Sequence, residues 1–197
     1  MQSLLRGEMD RPTYLSLLTN LEAIYVALED ALLRHAAHPL LCPVFESGLF
    51  RSGALKADII ALHGDQATPT ELQPATRSYV ARLRELEEAQ PELLLAHGYV
   101  RYLGDLSGGQ LLKSIVKASL ATEGSTGTSF FDFGDIEETT RLARRFRSAL
   151  ASLPLSPKAA GAVIEEAKRS FERHAAMFEE ISASRNRPPT AFAGDAP

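Results

Sequence analysis

The chain lacks the features that define several large classes of protein. Its 197 residues include one cysteine, Cys42, and no tryptophan. A single cysteine excludes an internal disulfide framework and is typical of a reducing compartment. No run approaches the roughly 18 consecutive apolar residues that a membrane-spanning helix needs, and the polar stretch after Met1 is unlike a signal peptide. We therefore expect a cytoplasmic protein that does not enter a membrane.

The chain also has no excess of positively charged residues. The formal net charge is -4, so nothing attracts the chain generally to nucleic acid or to anionic lipid. Hydrophobic residues make up 45% of the chain and charged residues 23%, the balance of an ordinary globular protein. The length suits one domain with a substantial core.

Strand-like alternation is absent, and helical spacing dominates instead. Leucines at positions 15, 18, 21, 28 and 32, together with Tyr25, recur at steps of three and four residues. Asp10 is a capping residue and Pro12 suits a first turn, which predicts a helix from about residue 12 to 35. Further helices are predicted over residues 54–62, 92–120 and 136–153. Another is predicted to start at Pro74, and a last helix is predicted to end near residue 181. We predict an all-α domain over residues 1–183, with 184–197 as a disordered tail.

The segment Gly98–Gly109 lies inside the predicted helix 92–120, which is the longest of the set. Gly104, Gly108 and Gly109 each cost about 1 kcal/mol relative to alanine in a helix interior. Gly104 and Gly108 share one helix face, where their missing side chains open a flat shelf for a planar group and permit a kink. Close packing against another helix is the alternative explanation for the glycines. Asp105 is predicted at the edge of the shelf, and a solvated or capping carboxylate is its alternative.

Residues 99–110 read YVRYLGDLSGGQ and closely resemble the signature of the heme oxygenases. Segments that read IYVALE (24–29), PELLLAH (91–97), FFDF (130–133) and VIEEAK (163–168) resemble family segments in the same order. The resemblance implies a helical fold that holds heme between a proximal helix and a glycine-rich, kinked distal helix. It also implies cleavage of heme by O2 to biliverdin, carbon monoxide and ferrous iron. Electrons come from a separate reductase or ferredoxin, and the expected oligomeric state is a monomer.

The resemblance assigns roles to individual residues. Asp105 matches the aspartate that holds a proton-delivering water, while Gly104 and Gly108 match the glycines that lie against heme. Further matches are the network residues Tyr25, Tyr79 and Arg101, the propionate-binding residues Tyr99 and Arg147, and the pocket residues Phe171 and Phe178. Without the resemblance, Tyr25, Tyr79, Phe171 and Phe178 read as core residues, and Arg147 as part of a solvated basic face. That face, with Lys113, Lys117 and Arg144, is a candidate docking surface for an acidic electron donor.

The iron ligand of the family, a histidine, has no match in this chain. It is expected about nine residues before the point that matches Met1. A late start of the given sequence is the favoured explanation, and a natural variant is the other. His174 lies between Phe171 and Phe178, where it is expected in the distal network or at the pocket rim rather than on iron. A heme-binding or heme-sensing protein without turnover is therefore the alternative function, and a helical scaffold is a third reading.

Overall fold

The computed structural model describes residues 10–63, 71–120 and 126–185, and this part of the chain contains α-helices and no β-strand. The helices are α1 (Arg11–Arg34), α2 (Ser52–His63), α3 (Pro74–Ala89), α4 (Leu94–Leu120), α5 (Ile136–Ala151) and α6 (Pro157–Arg185). Single turns of 3-10 helix lie at Ser47–Leu49, Pro91–Leu93 and Ser129–Phe131. The predicted all-α class is confirmed.

Capping residues and prolines mark the helix starts. The Asp10 carboxylate accepts a hydrogen bond from the Thr13 backbone N–H at 2.8 Å, and Asp135 caps α5 through Glu138 in the same way. Pro74 and Pro157 are the first residues of α3 and α6, where a missing N–H costs nothing. The predicted starts of α1 and α3 are confirmed to within one residue.

The last helix differs from its prediction. α6 continues to Arg185, past the expected end near Ile181, and so takes in the first two residues of the predicted tail. With 29 residues it also exceeds α4, which has 27, so the expectation that the glycine-containing helix is the longest is wrong. Residues 186–197 of the tail, and residues 66–70 of a predicted loop, lie outside the described part of the chain. Within that part, no helix is both long and apolar enough to cross a membrane.

Helix α1 lies at the centre of the packing. It contacts α2, α3, α4 and α6, and α4 in turn packs against α5 and α6. Most of the apolar stripe of α1 is buried: Leu18, Ile24 and Leu28 are fully buried, and Leu15 is partly buried. Each such side chain contributes about 1.5–3 kcal/mol when it leaves water. This arrangement brings the middles of α1, α4 and α6 together.

A buried carboxylate holds the turn Ser129–Phe131 next to the place where α1, α4 and α6 meet. Asp58 of α2 accepts hydrogen bonds from the backbone N–H groups of Ser129 and Phe130 at 2.8 and 2.7 Å. The Phe130 ring then packs edge-on against Tyr25, with 5.5 Å between ring centroids. The polar contacts of Asp58 therefore fix an aromatic wall beside the middle of α1.

Candidate active site

The glycines of α4 fall into two groups. Gly104 is exposed and Gly108 half-buried. Apart from the adjacent residues and the backbone of α4 itself, no atom of the described residues lies within 4 Å of the point where a Cβ would stand on either glycine. A Cβ on Gly109 would lie 3.3 Å from the Phe131 carbonyl oxygen, and one on Gly98 would collide with the Phe45 ring. Close packing therefore explains Gly98 and Gly109, whereas Gly104 and Gly108 present open backbone. The α-helix runs through all of them without interruption, and the kink stays a prediction.

Asp105 lies beside this open backbone but points into the protein. It is 7% exposed, which is incompatible with the alternative of a solvated carboxylate. Its Oδ1 accepts a hydrogen bond from Arg101 Nη2 at 2.9 Å, and its Oδ2 accepts one from the Tyr25 hydroxyl. Arg101 Nε also donates to the Tyr25 oxygen, at 3.1 Å. The three side chains form a closed, buried hydrogen-bonded triangle between α1 and α4.

Burial and pairing act on this triangle in opposite directions. Burial raises the pKa of Asp105, and the Arg101 charge and the Tyr25 hydrogen bond only partly offset that rise. The pKa of Tyr25 lies well above its ordinary value, chiefly because of burial, so its hydroxyl stays protonated as a donor. Burial disfavours the charged form of Arg101, but Tyr25 and Asp105 raise its pKa overall. The triangle thus combines a fixed cation with a carboxyl group that takes up a proton more readily than an exposed aspartate.

His174 joins the triangle from α6. Its Nε2 accepts a hydrogen bond from Arg101 Nη1 at 2.7 Å, and the residue is 9% exposed. The Phe178 ring packs edge-on against the imidazole, with ring centroids 4.9 Å apart. Burial, followed by the Arg101 charge, lowers the pKa of His174 well below that of an ordinary histidine. The imidazole is therefore neutral at this position.

Tyr79 belongs to a second buried cluster. Its hydroxyl lies 2.6 Å from Ser170 Oγ and 3.1 Å from His97 Nδ1. The other ring nitrogen of His97 lies 3.2 Å from Glu166, which Arg82 binds through two nitrogens at 3.0 and 2.8 Å. Within the described residues, Tyr79 makes no direct hydrogen bond to the triangle. Burial raises the pKa of Tyr79, and the hydrogen bond to Ser170 and the nearby charge of Arg101 offset only part of that rise.

The roles of His97, Glu166 and Arg82 were not predicted from the sequence. His97 and Glu166 lie in two segments quoted above, PELLLAH and VIEEAK. The available signal is a polar residue at a position of the helical repeat that faces the core. Structure is needed to show that these polar positions meet one another.

A groove runs between α4 and α5. It has a volume of about 660 Å³ and is lined by Leu106, Ser107, Thr139, Thr140, Ala143, Arg144, Arg147 and Ser148. This volume falls within the range of small-molecule sites, about 300–1,000 Å³. Neither Arg144 nor Arg147 forms an ion pair in the described part of the chain, whereas Arg141 and Arg145 of the same helix pair with carboxylates. The groove therefore offers two cations to an anionic ligand.

The predicted pocket aromatics have contrasting exposures. Phe171 is 58% exposed and Tyr99 45% exposed. The alternative of a core residue is therefore wrong for Phe171, while Tyr25 and Tyr79 are fully buried as well as hydrogen-bonded. Phe178 is half-buried against His174. Large exposed aromatic side chains often mark a binding surface.

The described residues contain no group of three or more histidine, cysteine, aspartate or glutamate side chains able to hold a metal ion. The two buried histidines are engaged elsewhere, His97 with Tyr79 and Glu166, and His174 with Arg101. The prediction of an axial histidine before Met1 is not tested by the described residues and stays a prediction.

Comparisons with known proteins bear on the family and the fold of this chain. The family model for heme oxygenase matches residues 1–180. The heme oxygenase of the red alga Porphyra purpurea is 39% identical over 184 residues, which cover 93% of this chain and 78% of the relative. The crystal structure of heme oxygenase-1 from the cyanobacterium Synechocystis in complex with heme superposes with a TM-score of 0.87 at 32% identity, over 93% of this chain and 83% of that one. The heme oxygenase of Leptospira interrogans gives a TM-score of 0.86 at 34% identity, over 91% and 88% of the two chains.

The fold and these relatives thus define an all-helical protein of the heme-degrading monooxygenase class. The chain belongs to the heme oxygenase family.

Proposed function

We propose that this chain itself degrades heme, using O2 and electrons from an external reductase or ferredoxin, to biliverdin, carbon monoxide and ferrous iron. The buried Tyr25–Asp105–Arg101 triangle beside the open backbone of Gly104 and Gly108 carries the proposal. Heme is the substrate, and its iron supplies the site of oxygen activation. The protein supplies position, charge and protons.

The residues at the site fit a planar, dianionic substrate. The open backbone of Gly104 and Gly108 lets a flat ring approach α4 closely, because no neighbouring group of the described residues fills that space. The adjacent groove between α4 and α5 presents Arg147, whose planar guanidinium suits a carboxylate. Tyr99, Phe171 and Phe178 are proposed to complete the pocket, with Tyr99 near the second carboxylate.

Asp105 is proposed to hold a water molecule and to pass protons through it. A carboxyl group with a raised pKa is suited to general acid–base work because it gains and loses its proton closer to neutral pH. Tyr25 and Arg101 keep the carboxyl in one orientation, since each donates to a different oxygen. Tyr79 is proposed to border this network from the second buried cluster.

The proposal is tested by mixing the 197-residue chain with heme and adding ascorbate or a reductase in air. We expect a Soret band that decays as the absorption of biliverdin rises. A Soret band that persists under reductant and oxygen would contradict turnover and would support the alternative of a heme-binding protein. Failure to form any Soret band would contradict the proposal as it applies to this chain.

A further inference from the structure

We propose that His174 is a positioning residue of the site: a neutral imidazole that accepts a hydrogen bond from Arg101 and so holds the guanidinium against Asp105. The geometry of the proposal stands on the structure alone. Its consequence for turnover rests on the proposed heme oxygenase activity.

Three partners hold the Arg101 guanidinium, and each uses a different nitrogen atom. Nη1 donates to His174 at 2.7 Å, Nη2 donates to Asp105 at 2.9 Å, and Nε donates to Tyr25 at 3.1 Å. A guanidinium is rigid and planar, so fixing three nitrogens fixes its orientation. Of these three hydrogen bonds, the one to His174 connects Arg101 to α6. Without it, the side of the guanidinium that bears Nη1 has no acceptor among the described residues.

The chemistry of arginine determines which nitrogen of His174 carries the proton. Arginine only donates hydrogen bonds, so Nε2 of His174 must accept and the ring proton must be on Nδ1. A protonated imidazole would lose this acceptor and would place a second cation beside Arg101. Burial against the Phe178 ring also disfavours that cation. The buried Nδ1–H has no partner in the described part of the chain, which leaves one donor at the edge of the network.

Two substitutions separate the acceptor from the bulk of the side chain. In His174→Gln the amide oxygen reaches about as far as Nε2 and can accept from Arg101. In His174→Leu an apolar side chain occupies the space without an acceptor. Glu179→Gln, at an exposed position of the same helix, is the matched control.

The first test needs no heme. Nitrogen-15 NMR of the imidazoles, assigned with His174→Gln, should show His174 protonated at Nδ1 and bare at Nε2. This state should persist as the pH falls through about 6.5, where an ordinary histidine becomes charged. The guanidinium protons of Arg101 should exchange with solvent faster in His174→Leu than in the wild type or Glu179→Gln. A proton on Nε2, or unchanged Arg101 exchange in a folded His174→Leu protein, would overturn the proposal.

The second test follows turnover with ascorbate as the electron source. His174→Leu should lower kcat by about tenfold, the typical effect of losing a hydrogen bond to a charged group, with little change in heme affinity. His174→Gln should recover most of that loss, and Glu179→Gln should behave as wild type. Equal losses of kcat in His174→Gln and His174→Leu, or a wild-type kcat in His174→Leu, would contradict the positioning role.

The two tests fail separately. If wild-type chain binds heme but forms no biliverdin, the proposed function fails, while the NMR test still decides whether His174 holds Arg101. If wild type turns over and His174→Leu matches it, only the positioning role fails.

Discussion

Asp105 shows how surroundings change the chemistry of one side chain. Its charge is disfavoured by burial and favoured by Arg101 and Tyr25, and burial prevails, so its pKa is raised. An exposed aspartate, with a pKa of about 3.9, is almost never protonated at neutral pH. The position of Asp105 therefore gives an ordinary carboxyl group access to proton transfer.

Substitution of Asp105 tests this role directly. Asp105→Ala should retain heme binding, because the open backbone of Gly104 and Gly108 is unchanged. Biliverdin formation should fall by a factor of about 100 or more, which is the usual contribution of a general acid or base. Soret titration measures the first quantity and product absorption the second. Turnover at the wild-type rate would remove Asp105 from the mechanism.

Glu166 presents the opposite balance of effects. Burial raises its pKa, but hydrogen bonds from His97 and Arg82 outweigh burial and hold the pKa below the ordinary range. A carboxylate with a depressed pKa stabilises the fold above its unfolded pKa, and that stability is lost as the pH falls through the folded value.

We expect Glu166→Gln to lower the free energy of unfolding by about 1–3 kcal/mol at neutral pH, since it weakens a buried, charge-assisted network. The deficit should shrink as the pH falls below about 4.3, the unfolded pKa of glutamate. Urea unfolding at a series of pH values measures both. Glu165→Gln, at the exposed neighbouring position, should cost little at any pH. A deficit that stays constant with pH would show that the charge of Glu166 is unimportant.

At the scale of the element, α4 carries two kinds of glycine for two reasons. Gly98 and Gly109 allow aromatic segments to approach the helix, and Gly104 and Gly108 leave its backbone open. From the sequence, a flat shelf and close helix packing are alternative explanations for the glycines; in the structure, each explanation applies to different residues. Spacing alone does not distinguish them, because it does not show what lies opposite each glycine.

Alanine substitutions should separate the two kinds. Gly104→Ala should stabilise the heme-free protein by up to about 1 kcal/mol, because alanine favours the helix and no neighbouring group in the described part of the chain lies near the added methyl group. It should also weaken heme binding, since the methyl group occupies the shelf. Gly109→Ala should stabilise less or destabilise, because its methyl group would press on the Phe131 carbonyl oxygen. Thermal unfolding and Soret titration check these outcomes. Equal stabilisation by both variants would contradict the distinction.

The starts of α1, α3 and α5 were predictable from sequence, and the end of α6 was not. Asp10 and Pro74 act locally, so their signals can be read directly along the chain. The last turns of α6 are supported by distant residues. Glu180 accepts a hydrogen bond from the Ala75 backbone N–H at 2.8 Å, which ties the end of α6 to the start of α3. No local stop signal reveals such a contact.

At the scale of the whole molecule, some basic side chains of the face on α4 and α5 are paired with carboxylates, whereas others form no ion pair within the described residues. Arg141 and Arg145 pair with carboxylates, and Lys113 pairs with Asp132 at 2.6 Å. Arg144 and Lys117 form no ion pair within the described part of the chain. These two residues, rather than Lys113, are therefore the better candidates to bind an acidic electron donor.

We expect Lys117→Glu to raise the KM for a protein electron donor by several-fold at low salt, with the difference shrinking as salt is added. Turnover with ascorbate should be unchanged, because a small reductant needs no docking surface. Arg144→Glu should also raise the KM for the protein electron donor. Because Arg144 lines the groove as well, heme affinity is measured in parallel. A Lys117→Glu protein with an unchanged KM and salt dependence would exclude this docking surface.

The sequence by itself determined the helical class, the starts of α1, α3 and α5, and the glycine segment that identifies the family. These properties depend on residues near one another in the chain, through helical periodicity, capping and local backbone preference. The tertiary structure alone decided which polar groups meet. It brings Tyr25 to Asp105 across 80 residues and Arg101 to His174 across 73, and it places Tyr79 with His97 in a separate cluster. The physical reason is that a buried polar group must find its partner on whichever helix packs against it, and that choice is made by the packing of the whole core.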